Sequence, residues 1–324
     1  MKHDVSTAGT TLIRPADRWQ WLNLGELWRY RELLYFLAWR DVKVRYKQTV
    51  LGAAWAVLQP LLMMIVFSIF FGRMAHVDSG GWPYPLFAFA GLLPWTFFAT
   101  AIANAGNSVV GSERLITKIY FPRLAVPLAA VGAAMVDFLV ALGMLVVLMA
   151  YYHVPPTAGL FWLPVVMALL ACAAIGVGTL LAALNVAYRD FRYVIPFLVQ
   201  LWMFATPSVY MQEGSASDVR AEAQGSQEGS GFRVQGSQEG SGFRVQGSAS
   251  DADSNPKSKI QNPKLNALLR LNPLTGLVSA FRAAVLGGPM PWNGLAASAA
   301  GVAIALLIGC FYFRRVEDSF ADII

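Results

Sequence analysis

Long apolar runs are the feature that most restricts what this chain of 324 residues can fold into. Hydrophobic residues make up 56% of the chain and charged residues only 14%. A single water-soluble core cannot bury that much apolar surface, so we expect an integral membrane protein. Six runs are nearly free of charge and long enough to cross about 30 Å of hydrocarbon. These runs are residues 51–72, 85–110, 124–152, 160–188, 193–211 and 292–313.

Helices are the expected spanning form, because each run has about 20 residues or more and none is a short alternating segment. The predicted fold class is therefore an all-α integral membrane protein with six transmembrane helices. Five of these helices lie within residues 51–211 and the sixth is 292–313. Basic residues cluster in the turns 112–123 and 188–192 and in the tail 314–324. The positive-inside rule then places both termini in the cytoplasm.

The N-terminal part of the chain is expected to stay outside the hydrocarbon. Segment 1–23 is polar and lacks the apolar core of a cleavable signal. Residues 24–49 predict an amphipathic helix along the cytoplasmic interface, because their apolar stretch is too short to span and their basic residues can face anionic lipid. The charged residues and the tyrosine in the second half of this helix are Arg40, Asp41, Lys43, Arg45, Tyr46 and Lys47.

The turn 112–123 is short, charged and amphipathic. Ser112 can cap a helix, and Glu113 suits the positive end of the helix dipole. Apolar residues recur at helical spacing, and Pro122 ends the pattern. Two interpretations stay open for this turn. It is either a contact surface for a soluble protein or a basic loop that only anchors the cytoplasmic face.

The segment 212–262 departs from the membrane pattern. It is rich in Gly, Ser and Gln, and the sequence QGSQEGSGFRV occurs twice in succession, at 224–234 and 235–245. We expect a disordered loop on the outer side without a function of its own.

Residues 264–288 predict short helices before the last span. Asn272 and Pro273 are a typical helix start, and Gly287 a typical end. At about 20 Å the helix that they bound is too short to cross the membrane. It is therefore expected either to re-enter the bundle or to lie on its outer surface.

Several catalytic and metal-binding motifs are absent from the sequence. It contains no G-x-x-x-x-G-K-[ST] phosphate loop, no H-E-x-x-H, no C-x-x-C and no G-x-S-x-G, so we expect neither an enzyme nor a resident metal or cofactor. Cys172 and Cys310 both lie in apolar runs and form no disulfide framework. Asp137 is a carboxylate deep within a span. Either it has a functional role or it hydrogen-bonds a neighbouring helix.

Four separated stretches resemble the permease subunit of type-2 ABC exporters, in particular the branch that moves lipid-linked polysaccharides such as O-antigen, capsule and teichoic acid. The stretches are RELLYFLAWRDVKVRYKQTVLGAAWAVLQP (31–60), LITKIYFPRLAVPLA (115–129), NVAYRDFRYV (185–194) and LNPLTGLVSAFRAAVLG (271–287). They follow the order found in the family, and the resemblance covers nearly the whole chain except 212–262.

The resemblance implies a homodimer of six-helix subunits with two copies of a separate cytoplasmic ATPase, which would hold the ATP and Mg. It implies that the cargo is an undecaprenyl-linked glycan and that the protein lies in the bacterial inner membrane. There it would contact membrane lipid, and it would bind no nucleic acid. It assigns 24–49 to the interface helix, 112–123 to the ATPase contact and 264–288 to an outer gate. The residues expected to couple to the ATPase are Glu113, Arg114, Lys118, Tyr120, Phe121, Arg123, Arg189 and Asp190.

Two further sets follow from the resemblance. The outer gate is expected to include Asn272, Pro273, Phe281 and Arg282. Aromatic faces can stack on sugar rings, although they also fill cores and mark membrane interfaces. The aromatic residues expected to line a glycan path are Trp55, Trp95, Trp202, Phe204 and Tyr210.

Three alternative functions remain at this point. The first is a type-2 permease for a small hydrophobic molecule, such as a drug or a lipid. The second is a membrane-embedded glycan-transferring enzyme, which would need clustered carboxylates or histidines at a membrane face. The third is a channel or scaffold that works without ATP.

Overall fold

The structure is a computed structural model that describes residues 24–47, 54–74, 79, 81–118, 121–206, 272–317 and 320. Every regular element within these ranges is helical, which confirms the predicted all-α class. Five helical segments are long and apolar enough to cross a membrane. They are Ala54–Met74, Tyr84–Gly111, Ala125–Tyr151, Ala158–Ala187 and Trp292–Val316.

We number the α-helices in chain order, and two of the five segments contain another helix type. The first segment ends in a π-helix, Ser68–Met74, and the fourth begins with a 3₁₀ turn, Ala158–Trp162. The helices are α1 (Leu24–Arg29), α2 (Arg31–Lys47), α3 (Ala54–Phe67), α4 (Tyr84–Gly111), α5 (Glu113–Ile116), α6 (Ala125–Tyr151), α7 (Leu163–Ala187), α8 (Phe191–Phe204), α9 (Pro273–Leu286) and α10 (Trp292–Val316).

The predicted fifth span, 193–211, is described only in part. Its helix α8 has 14 residues, about 21 Å, which is short of the hydrocarbon thickness. Residues 207–271, which include the repeat segment 212–262 and the first part of the predicted 264–288, lie outside the described ranges, as do residues 1–23. The described residues therefore contain five candidate spans, and the sixth stays a prediction.

Helix α4 is the centre of the bundle. It contacts α3, α6, α7, α8 and α9. In its most apolar stretch of 18 residues, 78% of the residues are buried, against 11% in the corresponding stretch of the span that contains α3. Small residues let its neighbours approach closely: a Cβ atom at Gly178 of α7 would lie 2.7 Å from the Cβ of Ala105. The same holds between α7 and α10, where a Cβ at Gly309 would overlap the carbonyl oxygen of Gly176. Such small-residue contacts are typical of helices packed in membranes.

Helix α9 begins and ends as its sequence predicts. The Asn272 side chain accepts a hydrogen bond from the Leu274 N–H, Pro273 occupies the first helical position, and Gly287 has a left-handed φ of 82°. Almost every residue of α9 is buried, and the helix packs on α4, α7 and α10. Helix α9 thus inserts into the bundle, which favours the re-entrant alternative over a helix lying on the outer surface.

Helix α2 packs along the first half of α6. Ala38 of α2 lies opposite Gly132, and Arg45, seven residues further on, reaches Asp137. The last turn of α2 therefore faces α6, whereas the sequence predicted that its cations face lipid. Large aromatic side chains of both N-terminal helices are exposed, namely Trp28 of α1 and Tyr35, Phe36 and Trp39 of α2. A position at the level of the lipid head groups stays a prediction for this helix.

Candidate functional site

One apolar cluster gathers helix ends that are far apart in the sequence. It contains Ile116 after α4, Phe121 and Leu124 before α6, Val186 at the end of α7 and Phe313 near the end of α10. We call the bundle end that holds this cluster the inner end. The turns 112–123 and 188–192 and the last turns of α10 meet there, as the distribution of basic residues predicts.

Among its described residues, the turn 112–123 holds two large apolar side chains inward and three of its four charged side chains outward. Its helix, α5, is a single turn, which the hydroxyl of Thr117 closes by donating to the Glu113 carbonyl oxygen at 3.0 Å. Ser112 precedes α5, but its side chain makes no capping hydrogen bond. Ile116 and Phe121 are buried, whereas the side chains of Glu113, Arg114 and Lys118 are exposed. The turn therefore offers a charged surface on an apolar base.

The remaining residues expected to couple to an ATPase lie around this turn or outside the described residues. Arg189 and Asp190 are exposed between α7 and α8. Arg123 is half-buried, and its Nη1 has no hydrogen-bond partner within the described ranges. Tyr120 lies outside those ranges. The coupling roles of these residues stay predictions.

Asn185 is a polar link near the inner end that sequence reasoning missed. Its buried amide donates to the carbonyl oxygen of Gly106 at 2.9 Å and to Oδ1 of Asn107 at 3.2 Å. These bonds join α7 to α4 just before both helices end. The signal in the sequence is an amide at the end of an otherwise apolar run, at the start of NVAYRDFRYV.

A second polar cluster joins α2 to the middle of α6. The Arg45 guanidinium donates to Oδ2 of Asp137, and the Tyr46 hydroxyl donates to Oδ1. Asp137 thus hydrogen-bonds a neighbouring helix, which was one of its two predicted alternatives. An ionised carboxylate within a bundle is costly unless it is paired, and this cluster supplies one donor to each oxygen. Burial raises the pKa of the Tyr46 phenol, and the Arg45 cation opposes that shift, so the phenol stays protonated and able to donate.

Beside this cluster lies a cavity of about 340 Å³, enclosed by α2, α3, α4 and α6. Arg45, Tyr46 and Asp137 form part of its wall. Four uncharged polar residues complete the polar lining, namely Gln59, Thr96, Thr100 and Asn104. Half of the residues that line the cavity are therefore polar or charged, and they come from all four helices around it.

The predicted glycan-path aromatics are spread over several environments. Trp55 is half exposed and lines the cavity. Trp95 is buried, and Trp202 donates from Nε1 to Oδ1 of Asn272 at 3.1 Å. Phe204 is exposed on α8, and Tyr210 lies outside the described residues. Of the four members that the structure describes, Trp55 is the one that lines the cavity, and the substrate contacts of the set stay predictions.

The four residues expected at an outer gate share one region at the far end of the bundle. Asn272 joins the end of α8 to the start of α9, since its Nδ2 donates to the Ala205 carbonyl oxygen and to Oγ1 of Thr206. The guanidinium of Arg282 lies 4.0 Å from the ring centre of Phe87, a cation–π geometry. Phe281 packs on Phe138 of α6, with 6.0 Å between ring centres. Pro273 stands at the first position of α9.

The five long apolar helices, with charged turns exposed at the inner end, define the class: a multi-pass helical membrane protein. Residues 32–214 match the model of the ABC-2 type transporter family, and the chain belongs to this family. It is 34% identical over 185 residues to the O-antigen export system permease protein RfbA of Myxococcus xanthus, covering 57% of this chain and 70% of that protein. Two proteins of the same name from Klebsiella pneumoniae are 30% and 28% identical over 192 residues, covering 59% of this chain and 72% of each relative. The family resemblance noted in the sequence is thereby confirmed.

Proposed function

We propose that this chain is the membrane-spanning subunit of an exporter that moves a lipid-linked polysaccharide of the O-antigen kind across the bacterial inner membrane. The observation that carries the proposal is its 34% identity to an O-antigen export permease over 70% of that protein. The chain has no nucleotide-hydrolysis motif, so its energy comes from a separate ATPase that binds ATP and Mg. The permease itself is a conduit and not an enzyme.

The working assembly in this proposal is a homodimer with two ATPase subunits. Its support is the apolar surface that a single protomer leaves exposed. Ile65 and Phe70 of the first span and Phe197 and Leu201 of α8 are exposed. Exposed apolar residues on spans face either lipid or another span. We assign part of this surface to the second copy and the rest to lipid, with both termini in the cytoplasm.

The turn 112–123, which we call the inner turn, is the proposed point at which the ATPase acts. Glu113, Arg114 and Lys118 are exposed and would pair with charges on the ATPase. Phe121 is buried in the protomer's own apolar cluster, so it would transmit the push to α6 without touching the ATPase itself. Arg123, Arg189 and Asp190 lie at the same end and would extend the contact, together with Tyr120.

The movement would reach the outer end through α8 and α9. Asn272 holds the end of α8 to the first turn of α9 by three hydrogen bonds, one accepted from Trp202 of α8 and two donated to Ala205 and Thr206, which directly follow α8. A tilt of α8 would therefore displace α9, whose Phe281 packs against the middle of α6. The glycan would pass along the dimer interface once this helix moves.

Co-purification and export in cells test the proposal. The permease is expressed with a candidate ABC ATPase, in cells that make a lipid-linked polysaccharide but cannot export it. We expect the ATPase to co-purify with the permease and the polymer to reach the outer face only when both proteins are present. The proposal is wrong if the two proteins form no complex, or if the complex releases a hydrophobic dye and no polymer.

A further inference from the structure

The cavity beside Asp137 has the size and access of a ligand site. Its volume of about 340 Å³ lies at the low end of the range for small-molecule sites. Trp55 and Gln59 stand one helical turn apart on α3, line the cavity and are both exposed. The cavity therefore reaches the surface of the protomer along α3. At its other side lie the buried rings of Phe97 and Phe138, 5.2 Å apart.

One face of α4 supplies a row of hydrogen-bonding groups to the cavity. Thr96, Thr100 and Asn104 follow one another every four residues, so they lie on the same side of the helix. Thr96 donates to the Leu93 carbonyl oxygen at 3.0 Å, which leaves its hydroxyl oxygen able to accept. The Nδ2 atom of Asn104 is buried and has no hydrogen-bond partner in the described part of the chain. A buried amide donor without a partner is unfavourable, and a bound acceptor would satisfy it.

The charges around the cavity balance. Arg45 and Asp137 are the two charged residues that line it, and they pair with each other. The second carboxylate oxygen accepts from Tyr46. A phosphate would meet the Asp137 carboxylate and would have to compete for Arg45. A neutral ligand would leave this ion pair intact.

We propose that this cavity binds a neutral, hydroxyl-rich group, namely a sugar residue of the exported glycan and not the diphosphate of its lipid carrier. Sugar hydroxyl oxygens accept from Asn104 Nδ2, the hydroxyl groups exchange hydrogen bonds with Gln59 and Thr100, and the apolar face of the ring stacks on Trp55. That the sugar belongs to an exported glycan rests on the proposed function.

The site lies between the middle of the bundle and its inner end. Trp55 is the second residue of α3, and Asp137 is twelve residues into α6, about 18 Å from its inner end. The rings of Phe97, Phe138 and Phe281 form consecutive contacts between the cavity and α9. The cavity thus serves the entry side of the path, and the aromatic contacts separate it from the helix assigned to the gate.

Photo-crosslinking of the permease–ATPase complex in lipid nanodiscs tests this assignment. The probes are a photoreactive alkyl glucoside, which is neutral, and a photoreactive phosphatidylglycerol, which is an anionic lipid. We expect the glucoside to label the segments 96–104 and 134–141. Asn104→Leu and Gln59→Leu should each lower that labelling by about fivefold, which is the loss of one hydrogen bond.

Two matched variants control for the loss of an amide. Asn293→Leu and Gln200→Leu remove exposed amides of α10 and α8 that do not line the cavity, so labelling should stay at the level of the unmodified protein. The melting temperature of Asn104→Leu should not fall, because this amide gives up no hydrogen bond within the described protein. Thr100→Val, which is similar in shape, provides a second variant if Asn104→Leu misfolds.

The two proposals fail in different ways. Glucoside labelling that is equal in unmodified protein, Asn104→Leu and Thr100→Val contradicts the sugar site, even if the complex exports polymer. Stronger labelling of these segments by phosphatidylglycerol assigns the cavity to a lipid head group and also contradicts it. The third outcome is that the cavity variants lower glucoside labelling but the complex exports no polymer. That result supports the neutral sugar site and contradicts the exporter function.

Discussion

Arg45 of α2 pairs with Asp137 of α6 across 92 residues of sequence. The pair joins the N-terminal helix to the middle of a span. Helix α6 directly follows the inner turn. Phe121 of the turn and Leu124, the residue just before α6, pack in the apolar cluster at the inner end. A displacement of either α2 or the turn would therefore act on the same helix.

Removing one member of this pair should destabilise the protein. Arg45→Leu leaves the Asp137 carboxylate without its cation inside the bundle. Asp137→Leu leaves the Arg45 guanidinium without its carboxylate. The two side chains are 32% and 18% exposed, so we expect a loss of about 1–2 kcal/mol, below the 3–5 kcal/mol of fully buried pairs. The measurement is the free energy of unfolding in detergent micelles. The double variant should recover part of the loss, because no unpaired charge remains.

A neighbouring ion pair on α2 is the matched control. Arg40 and Asp41 are adjacent, and the Arg40 side chain is 46% exposed. Arg40→Leu should change the free energy of unfolding by less than about 0.5 kcal/mol. An effect of Arg45→Leu no larger than that of Arg40→Leu would show that the Asp137 pair has no special weight.

Asn272 should matter both as a helix cap and as the connection between α8 and α9. Asn272→Leu removes the cap of α9 and the bonds with Trp202, Ala205 and Thr206, and we expect it to lower stability by about 1–2 kcal/mol. Asn272→Asp keeps the accepting oxygen and loses the two donated bonds. It should keep the cap and most of the stability, yet slow polymer export. Equal stability and equal export rates in both variants would contradict this role.

The contact between α7 and α10 should not tolerate a methyl group. Gly309→Ala would place a Cβ against the backbone of Gly176, so we expect a loss of about 1–3 kcal/mol in the free energy of unfolding. Gly143→Ala in α6 is the matched control, since nothing lies within 4 Å of a Cβ there. Because alanine favours helix, Gly143→Ala should be neutral or stabilising. If both variants behave alike, the packing of α7 on α10 is looser than described.

Reversing charge at the inner turn should weaken the complex with the ATPase. Arg114 and Lys118 are exposed, so changing both to Glu should leave folding intact while like charges at a contact repel. We expect at least about a tenfold loss of ATPase recovered with the permease, and a matching loss of export. Arg73→Glu, an exposed position in the last turn before the loop that leads to α4, should change neither. Unchanged recovery in the double variant would place the contact elsewhere.

Local chemistry explains which parts of the fold could be predicted. A span is defined by a run of apolar residues, so the predicted 124–152 corresponds to α6, Ala125–Tyr151. The start and end of α9 were predictable for the same reason, because Asn272, Pro273 and Gly287 act within one helical turn. The five spans and this helix therefore needed no tertiary information.

Contacts between distant residues could not be predicted in this way. Arg45 and Tyr46 belong to a basic helix whose charges suggest a lipid surface, and only the packing of α2 on α6 turns them toward Asp137. Phe121 was expected to face an ATPase, but the inner cluster buries it. Trp95 is part of the core around α4. In each case the residue type is compatible with several environments, and tertiary packing determines which environment the side chain occupies.

Reconstituted transport tests the central claim most directly, namely that this chain is a conduit driven by a separate ATPase at its inner end. The purified permease, with and without the ATPase, is placed in lipid vesicles that contain lipid-linked polysaccharide, and the appearance of polymer on the opposite face is measured. We expect transport only with both proteins and ATP, and no ATP hydrolysis by the permease alone. Transport without the ATPase, or ATP hydrolysis by the isolated permease, would contradict the account.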